Sequence, residues 1–133
     1  MASLGRTSQD RLATCHPKIQ RVIRRAEKEN PEDFSVVCGR RNEPDQEQAF
    51  REGKSDAHYG ESPHNEDPSE GIDVAPYRHG RILWDDGPAF VRLATHVLAA
   101  ASAEGVKLKW GGHFKATRTR QYGWDKGHWE LIN

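Results

Sequence analysis

Two segments carry apolar residues at the spacing of an amphipathic helix. The first begins at Pro17 and ends before Pro31, and its apolar face consists of Ile19, Val22, Ile23 and Ala26. The second lies between Asp85, a candidate cap, and Gly105, a candidate stop, and its apolar positions are Phe90, Leu93, Ala94, Val97, Leu98 and Ala101. A period near 3.6 residues predicts a helix in each segment.

Shorter runs predict the other elements. Residues 43–52 form a third helix that ends at Gly53, and the β-prone runs are residues 34–38, 72–77, 81–84, 106–110 and 128–132. A turn at His79-Gly80 makes residues 72–84 a hairpin. The order lacks a regular βαβ alternation, so we expect an α+β fold with a small antiparallel sheet packed with about three helices.

Two stretches have no hydrophobic period. Residues 1–16 are a polar N-terminal segment, and residues 54–70 are rich in Gly, Ser, Pro, Asp, Glu and His. Long ordered loops in compact domains usually carry function, so residues 54–70 are the first place to look for a site.

Length and charge restrict the class of protein. A chain of 133 residues fits a single domain, residues 1–133, and its 20 basic residues balance its 20 acidic ones. No strong field favours nucleic acid or a membrane surface. Residues 1–10 lack the apolar stretch of a secretory signal. We therefore expect synthesis in the cytoplasm and reduced cysteines at Cys15 and Cys38.

Four polar residues stand at junctions between loops and strands: His64, Asp73, Asp125 and His128. A catalytic zinc ion takes three ligands from His, Asp and Glu and keeps a fourth position open. A hydrolytic site also needs a carboxylate to take a proton from water, and Asp125 stands three residues before His128. Spacing alone leaves the assignment open, since the chain holds seven histidines.

The order of several motifs resembles the M15 zinc peptidases of the LAS type. Residues 62–64 (Ser-Pro-His), 71–73 (Gly-Ile-Asp) and 125–128 (Asp-Lys-Gly-His) are similar to the family's ligand signature. Residues 38–53, 73–77 and 110–112 are similar to further family segments, so the resemblance covers about residues 17–131. The family includes D-Ala-D-Ala carboxypeptidases and the L-alanyl-D-glutamate endopeptidases used as phage endolysins.

The resemblance implies a hedgehog or D-Ala-D-Ala-peptidase-like fold and a role for each matching residue. His64, Asp73 and His128 would bind zinc (Zn2+), and Asp125 would be the general base. Arg41 would bind the substrate or stabilise the developing oxyanion. Three further residues would contact substrate or support the ligands: Ser62, Gln46 and His113.

Some positions depart from the family pattern. Asp73 follows His64 by nine residues, whereas the family spacing is seven, so Asp67 in the enlarged loop is an alternative ligand. The acidic loop could hold calcium, although we expect it to be solvated. His113 replaces the usual aspartate and could equally be a surface residue. The insert at residues 116–124 could form a lid or a wall-binding edge.

Glu130 falls on the same side of the last predicted strand as His128. It either supports the site or lies in solvent.

The resemblance implies a zinc-dependent peptidoglycan peptidase that cleaves the stem peptide, a phage endolysin of the L-alanyl-D-glutamate endopeptidase type. We expect a monomer that binds neither nucleic acid nor membrane and reaches the cell wall through a pore. The alternatives are a D-Ala-D-Ala carboxypeptidase and a non-catalytic zinc-stabilised binding module. A glycosidase that uses two carboxylates is a third alternative, which no spacing favours.

Overall fold

The structure, a computed structural model, describes residues 3–132. Within this range it contains four α-helices and five strands. The helices are α1 (Arg6–Leu12), α2 (Pro17–Glu29), α3 (Glu43–Arg51) and α4 (Gly87–Glu104). The strands are β1 (Phe34–Cys38), β2 (Gly71–Arg78), β3 (Arg81–Ile82), β4 (Leu108–Trp110) and β5 (His128–Leu131). The predicted α+β class with a small antiparallel sheet is confirmed, with one helix more than expected.

The sheet places strands that are distant in the chain beside one another. Its order is β1-β2-β5-β4, β3 pairs with the end of β2, and every strand pair is antiparallel. β2 and β5 are the central strands. In this register Asp73 lies opposite Cys38 on one side and His128 on the other.

Helices α2 and α4 pack against each other and form much of the core. The predicted apolar faces are buried except at Leu98, which is 43% exposed. Ile19, Val22, Ile23 and Val97 are all 0% exposed. Burying an aliphatic side chain of this size contributes about 1.5–3 kcal/mol to the stability of the fold. The apolar period in the sequence therefore marks the helix faces that pack in the core. Among the described residues, no helix is both long and apolar enough to cross a bilayer.

Helix α1 lies in the stretch to which the hydrophobic pattern assigned no element. Leu4 and Leu12 are buried in the main core. The Ser8 hydroxyl is also buried, and it accepts a hydrogen bond of 3.0 Å from the Val36 amide of β1. The helix has only seven residues, which is too short to show an apolar period, and a serine makes one of its core contacts.

Several element boundaries differ from the prediction. The assignment of Asp85 as the cap of α4 is wrong, because the Asp86 carboxylate accepts the hydrogen bond from the Ala89 amide at 3.0 Å. β3 stops at Ile82, and Trp84 lies beyond it with 61% of its surface exposed. The strand predicted at residues 106–110 begins at Leu108. Gly105 ends α4 as expected, at a φ of +68°.

Candidate metal and active site

A short 3-10 helix, Pro63–Asn65, presents His64 from the long loop. The Ser62 hydroxyl accepts a hydrogen bond from the His64 amide at 3.2 Å, and the Asn65 side chain accepts one from the Ser62 amide. The Arg41 amide donates to the His64 carbonyl at 2.7 Å. Ser62 therefore shapes the turn that holds His64, and the turn is attached to the segment that follows β1.

Three donor atoms converge on one point. His64 Nε2 lies 3.2 Å from Asp73 Oδ1 and 3.2 Å from His128 Nδ1, and His128 Nδ1 lies 3.0 Å from the same Asp73 oxygen. Metal–ligand bonds of about 2.0–2.2 Å place the corners of a zinc tetrahedron roughly 3.3–3.6 Å apart. The three donor atoms need to move apart by only a few tenths of an ångström to form three corners of a zinc tetrahedron.

A hydrogen bond at the outer nitrogen of each histidine fixes the orientation of the ring. His64 Nδ1 donates to the Gly39 carbonyl at 2.8 Å, because a carbonyl can only accept. His128 Nε2 lies 2.9 Å from the Glu130 carboxylate and donates to it. The inner nitrogens therefore keep their lone pairs for the centre. Metal-binding histidines are commonly oriented in this way, so the donor set fits zinc.

The electrostatics of the centre favour a positive charge. Burial lowers the pKa of both imidazoles, but the Asp73 carboxylate outweighs burial and raises the pKa of His64 to about 10 and that of His128 to about 9. Burial raises the pKa of Asp73, and the two imidazoles reverse this and hold it well below its usual range. Two inward lone pairs beside one carboxylate attract a cation, either a proton or a metal ion.

The longer loop leaves Asp73 at the centre and Asp67 outside it. The Asp67 side chain is 77% exposed, and its nearest cation is Arg40, at 3.9 Å. Asp73 stands within β2, opposite His128 of β5. Residues 66–68 of the loop are exposed to solvent, and β2 returns Asp73 to His64.

Asp125 lies on a tight turn before β5. The His128 amide donates to the Asp125 carbonyl at 3.1 Å, which closes the turn. A side chain at Gly111 would overlap this carbonyl, which explains a glycine in the Trp110-Gly111-Gly112 motif. Burial and the nearby charge of Asp73 raise the pKa of the Asp125 carboxyl.

Gln46 is fully buried behind Arg41 and does not reach the cleft. Its Oε1 accepts hydrogen bonds from Arg41 Nη1 at 3.0 Å and from Asn65 Nδ2 at 3.1 Å. Its Nε2 donates to the Ala57 carbonyl at 2.7 Å. The other guanidinium nitrogen, Arg41 Nη2, lies 3.7 Å from Asp73 Oδ2. Gln46 therefore aims Arg41 at the centre.

An open cleft of about 370 Å³ gives access to the centre. Its lining includes His64, Asp73, Asp125, His128 and Arg41. A second cleft of about 400 Å³ shares Asp73, Trp124 and Asp125 with it and extends to Trp84 and Phe90. Ser62 also lines the first cleft, so the structure brings six sequence-predicted site residues to one surface.

The 116–124 insert forms one wall of the cleft. Arg120 donates to the Gly53 carbonyl at 2.8 Å, and its guanidinium lies 4.9 Å from the centre of the Trp124 ring. This contact joins the insert to the loop that begins after α3. His113, by contrast, is exposed, and its ring centre lies 4.9 Å from that of Trp110 in an edge-to-face contact. The structure therefore does not bring His113 to the centre.

Cys38 is a group at the centre that the sequence did not indicate. Its sulfur, one His64 nitrogen and one Asp73 oxygen all lie within 4.8 Å of one another. Burial raises the pKa of the Cys38 thiol, and a hydrogen bond with His64 and the charge of that ring outweigh it, so that the pKa is lowered overall. The only sequence signal was its place just before the Gly39-Arg40-Arg41 motif.

Comparison with known proteins gives one consistent family. The family model for phage L-alanyl-D-glutamate peptidases matches residues 1–132. The L-alanyl-D-glutamate peptidase of Escherichia phage T5 is 32% identical over an alignment of 140 residues. The alignment spans 96% of this chain and 96% of the relative. The crystal structure of the Serratia marcescens L-Ala D-Glu endopeptidase ChiX superimposes with a TM-score of 0.81 at 28% identity, covering 99% of this chain and 90% of that one.

Proposed function

The chain belongs to the phage L-alanyl-D-glutamate peptidase family, and from this premise we propose that it is a zinc-dependent endopeptidase that cleaves the L-Ala–D-Glu bond of the peptidoglycan stem peptide. The observation that carries the proposal is the triangle of donor atoms from His64, Asp73 and His128, with sides of 3.0–3.2 Å. Its two imidazoles are already oriented by Gly39 and Glu130.

Zinc held by these three residues would polarise the scissile carbonyl and lower the pKa of a water molecule. Two histidines and one aspartate leave a fourth position for that chemistry. A purely structural zinc site needs neither a cleft that admits substrate nor a base beside it. The open cleft and the position of Asp125 therefore favour an enzyme over a zinc-stabilised binding module.

Asp125 takes the proton of the attacking water and passes it to the leaving amine. Its side chain lines the cleft together with His64 and His128. Within residues 3–132 its carboxylate has no hydrogen-bond partner, so both oxygens are free to accept a proton. The Asp125–His128 turn fixes its place relative to the metal ligands.

Arg41 binds the scissile carbonyl and stabilises the negative charge that develops on its oxygen. A guanidinium is suited to this role because it is always charged and presents its donors in a rigid fork. Gln46 holds the fork from behind, and Asn65 in turn donates to Gln46 and to the Arg41 backbone carbonyl, so that little order has to be gained when the substrate binds.

The activity is tested by incubating the purified protein with peptidoglycan and identifying new termini by mass spectrometry. We expect new amino groups on D-Glu, loss of the product with a chelator, and recovery with zinc. His64→Ala should give no product at any zinc concentration. Release of D-Ala would establish a carboxypeptidase instead, and zinc binding without new termini would establish the binding module.

The same proposal includes the setting of the enzyme. We propose that it acts as a monomer on the cell wall, after release through a pore, as a phage endolysin does. Lysis of cells that coexpress a pore-forming protein, and survival of cells that express the peptidase alone, would support this. A dimer in size-exclusion chromatography would contradict the monomer.

A further inference from the structure

Cys38 stands in one row with two of the proposed ligands. β1, β2 and β5 are neighbours in the sheet, and Cys38, Asp73 and His128 lie opposite one another across them. Residues that pair directly in antiparallel strands project from the same face of the sheet. The thiol therefore faces the same side as the carboxylate and the imidazole.

An irregularity in β1 creates this alignment. Val36 pairs with Val74, but the next pair on β2 joins Asp73 to Cys38, so Val37 is an extra residue. Such bulges redirect side chains and are frequent beside active sites. Without this one, Val37 would stand opposite Asp73, and the centre would have an apolar neighbour in place of sulfur.

Cys38 and His128 each complete a set of three donor residues with His64 and Asp73. His128 Nδ1 completes one set with His64 and Asp73, at 3.2 and 3.0 Å. Cys38 Sγ completes the other, with all donor atoms within 4.8 Å. Thiolate, imidazole and carboxylate are all established zinc ligands, and the Arg41 guanidinium, 3.5 Å from Cys38 Sγ, supplies a counter-charge for the sulfur.

We propose that Cys38 is a fourth metal ligand in the substrate-free enzyme and that it occupies the position that catalysis requires to be open. This inference rests on the proposed function. On metal binding the Cys38 thiol releases its proton to solvent, and the sulfur forms a bond to the metal in place of one water. When the substrate carbonyl oxygen takes this position, the Cys38 sulfur would be released and would regain a proton from solvent.

Arg41 links the state in which Cys38 binds the metal to the state in which substrate takes that position. The same guanidinium contacts Cys38 in the structure and is the group we assign to the substrate carbonyl. A bound substrate therefore competes with Cys38 twice, for the metal position and for Arg41. The resting enzyme would hold its metal more tightly and would not expose an activated water before substrate arrives.

Cobalt substitution tests the proposal, because a thiolate bound to Co2+ gives a near-ultraviolet charge-transfer band that imidazole and carboxylate do not give. The full chain is loaded with Co2+ and compared with Cys38→Ser and Cys38→Ala. The control is Cys15→Ala, which removes the other cysteine, a core residue that is 1% exposed. We expect the band in the wild type and in the control and its absence in both Cys38 variants.

A second measurement tests displacement by substrate. In Asp125→Asn, which should bind but not turn over, a stem peptide should reduce the band. Cd2+ should bind Cys38→Ser about tenfold more weakly or worse, since even outer partners of ligands contribute that much to metal affinity. A folded Cys38→Ser protein that keeps the band, or a cobalt-loaded wild type without it, would overturn the proposal.

The result separates this inference from the proposed function. If cobalt binds and gives the visible bands of His and Asp ligation without the charge-transfer band, the role of Cys38 is refuted. The three-ligand centre then still stands. Failure of the wild type to bind any metal refutes both. A band that persists unchanged while the peptide saturates Asp125→Asn refutes the displacement of the sulfur.

Discussion

His64 and His128 use different ring nitrogens toward Asp73, and their outer partners impose the choice. Gly39 fixes His64 through a backbone carbonyl, whereas Glu130 fixes His128 through a charged side chain. The backbone carbonyl cannot be removed by mutation, but the carboxylate can. Glu130 is therefore the residue at which the orientation of a ligand can be tested without deleting the ligand itself.

Glu130→Ala should weaken zinc binding by about tenfold to a hundredfold, because His128 loses the acceptor that fixes its tautomer and orientation. Zinc affinity can be measured by competition with a chromophoric chelator. The matched control is Asp67→Asn, which removes an acidic charge that is exposed on the enlarged loop. Equal zinc affinity in the wild type and Glu130→Ala would contradict the role assigned to Glu130. A lower zinc affinity in Asp67→Asn would indicate that Asp67 is a ligand.

Asp125→Asn should keep zinc and lose about two to four orders of magnitude in turnover, the usual contribution of a positioned acid or base. The amide has almost the same shape, so the turn before His128 remains. Asp85→Asn, at the start of α4, serves as the control for a nearby carboxylate. The measurement is the rate of appearance of new D-Glu amino termini, with zinc content determined on the same samples. Undiminished turnover would remove Asp125 as the base.

The order of the motifs along the sequence was enough to identify the residues that meet at the centre, because each lies at a fixed place relative to the end of a strand. Gln46 was expected to contact substrate or support the ligands, and the structure places it behind Arg41, fully buried and hydrogen-bonded to the guanidinium. Cys38 was missed because its place depends on a bulge in β1. Nothing in a run of β-prone residues shows where a strand gains an extra residue.

At the scale of elements, α2, α3 and α4 were predictable from the sequence and α1 was not. α2 and α4 bury a continuous apolar face, so their period is visible in the sequence. α1 contributes Leu12 and the hydroxyl of Ser8, and one hydrogen bond to Val36 replaces the apolar contact that a pattern would detect. The cap of α4 shifted by one residue, because both Asp85 and Asp86 are plausible caps and only backbone geometry selects between them.

Asp86→Ala should lower the free energy of unfolding by about 1 kcal/mol, because the Ala89 amide loses its capping acceptor. Asp85→Ala removes the adjacent carboxylate and is the matched control, with an expected change within about 0.5 kcal/mol. Urea denaturation of the two variants measures the difference. A larger loss in Asp85→Ala than in Asp86→Ala would contradict the cap that the structure shows.

At the scale of the molecule, the centre joins parts of the chain that are far apart in sequence. His64 comes from the long loop, Asp73 from β2 and His128 from β5, and 64 positions separate the two histidines. A metal that binds only this assembled site stabilises the whole fold through mass action.

Zinc at about 100 times its dissociation constant should raise the free energy of unfolding by about 2.7 kcal/mol. The melting temperature should fall when a chelator is added and recover when zinc is restored. His128→Ala, which removes one corner of the triangle, should show a much smaller dependence on zinc. A wild-type protein whose melting temperature does not respond to zinc or to chelator would contradict the proposed centre.

The position of β5 determines when the enzyme can become active. β5 is the last strand of the described chain, yet it lies between β2 and β4 inside the sheet. β2 must therefore wait for a partner that the ribosome makes much later, and pairings between distant segments form slowly. Because β5 also carries His128, a nascent chain that has not reached it has no complete centre. Under the proposed function, hydrolysis of the wall therefore requires that β5 has been made and has paired with β2.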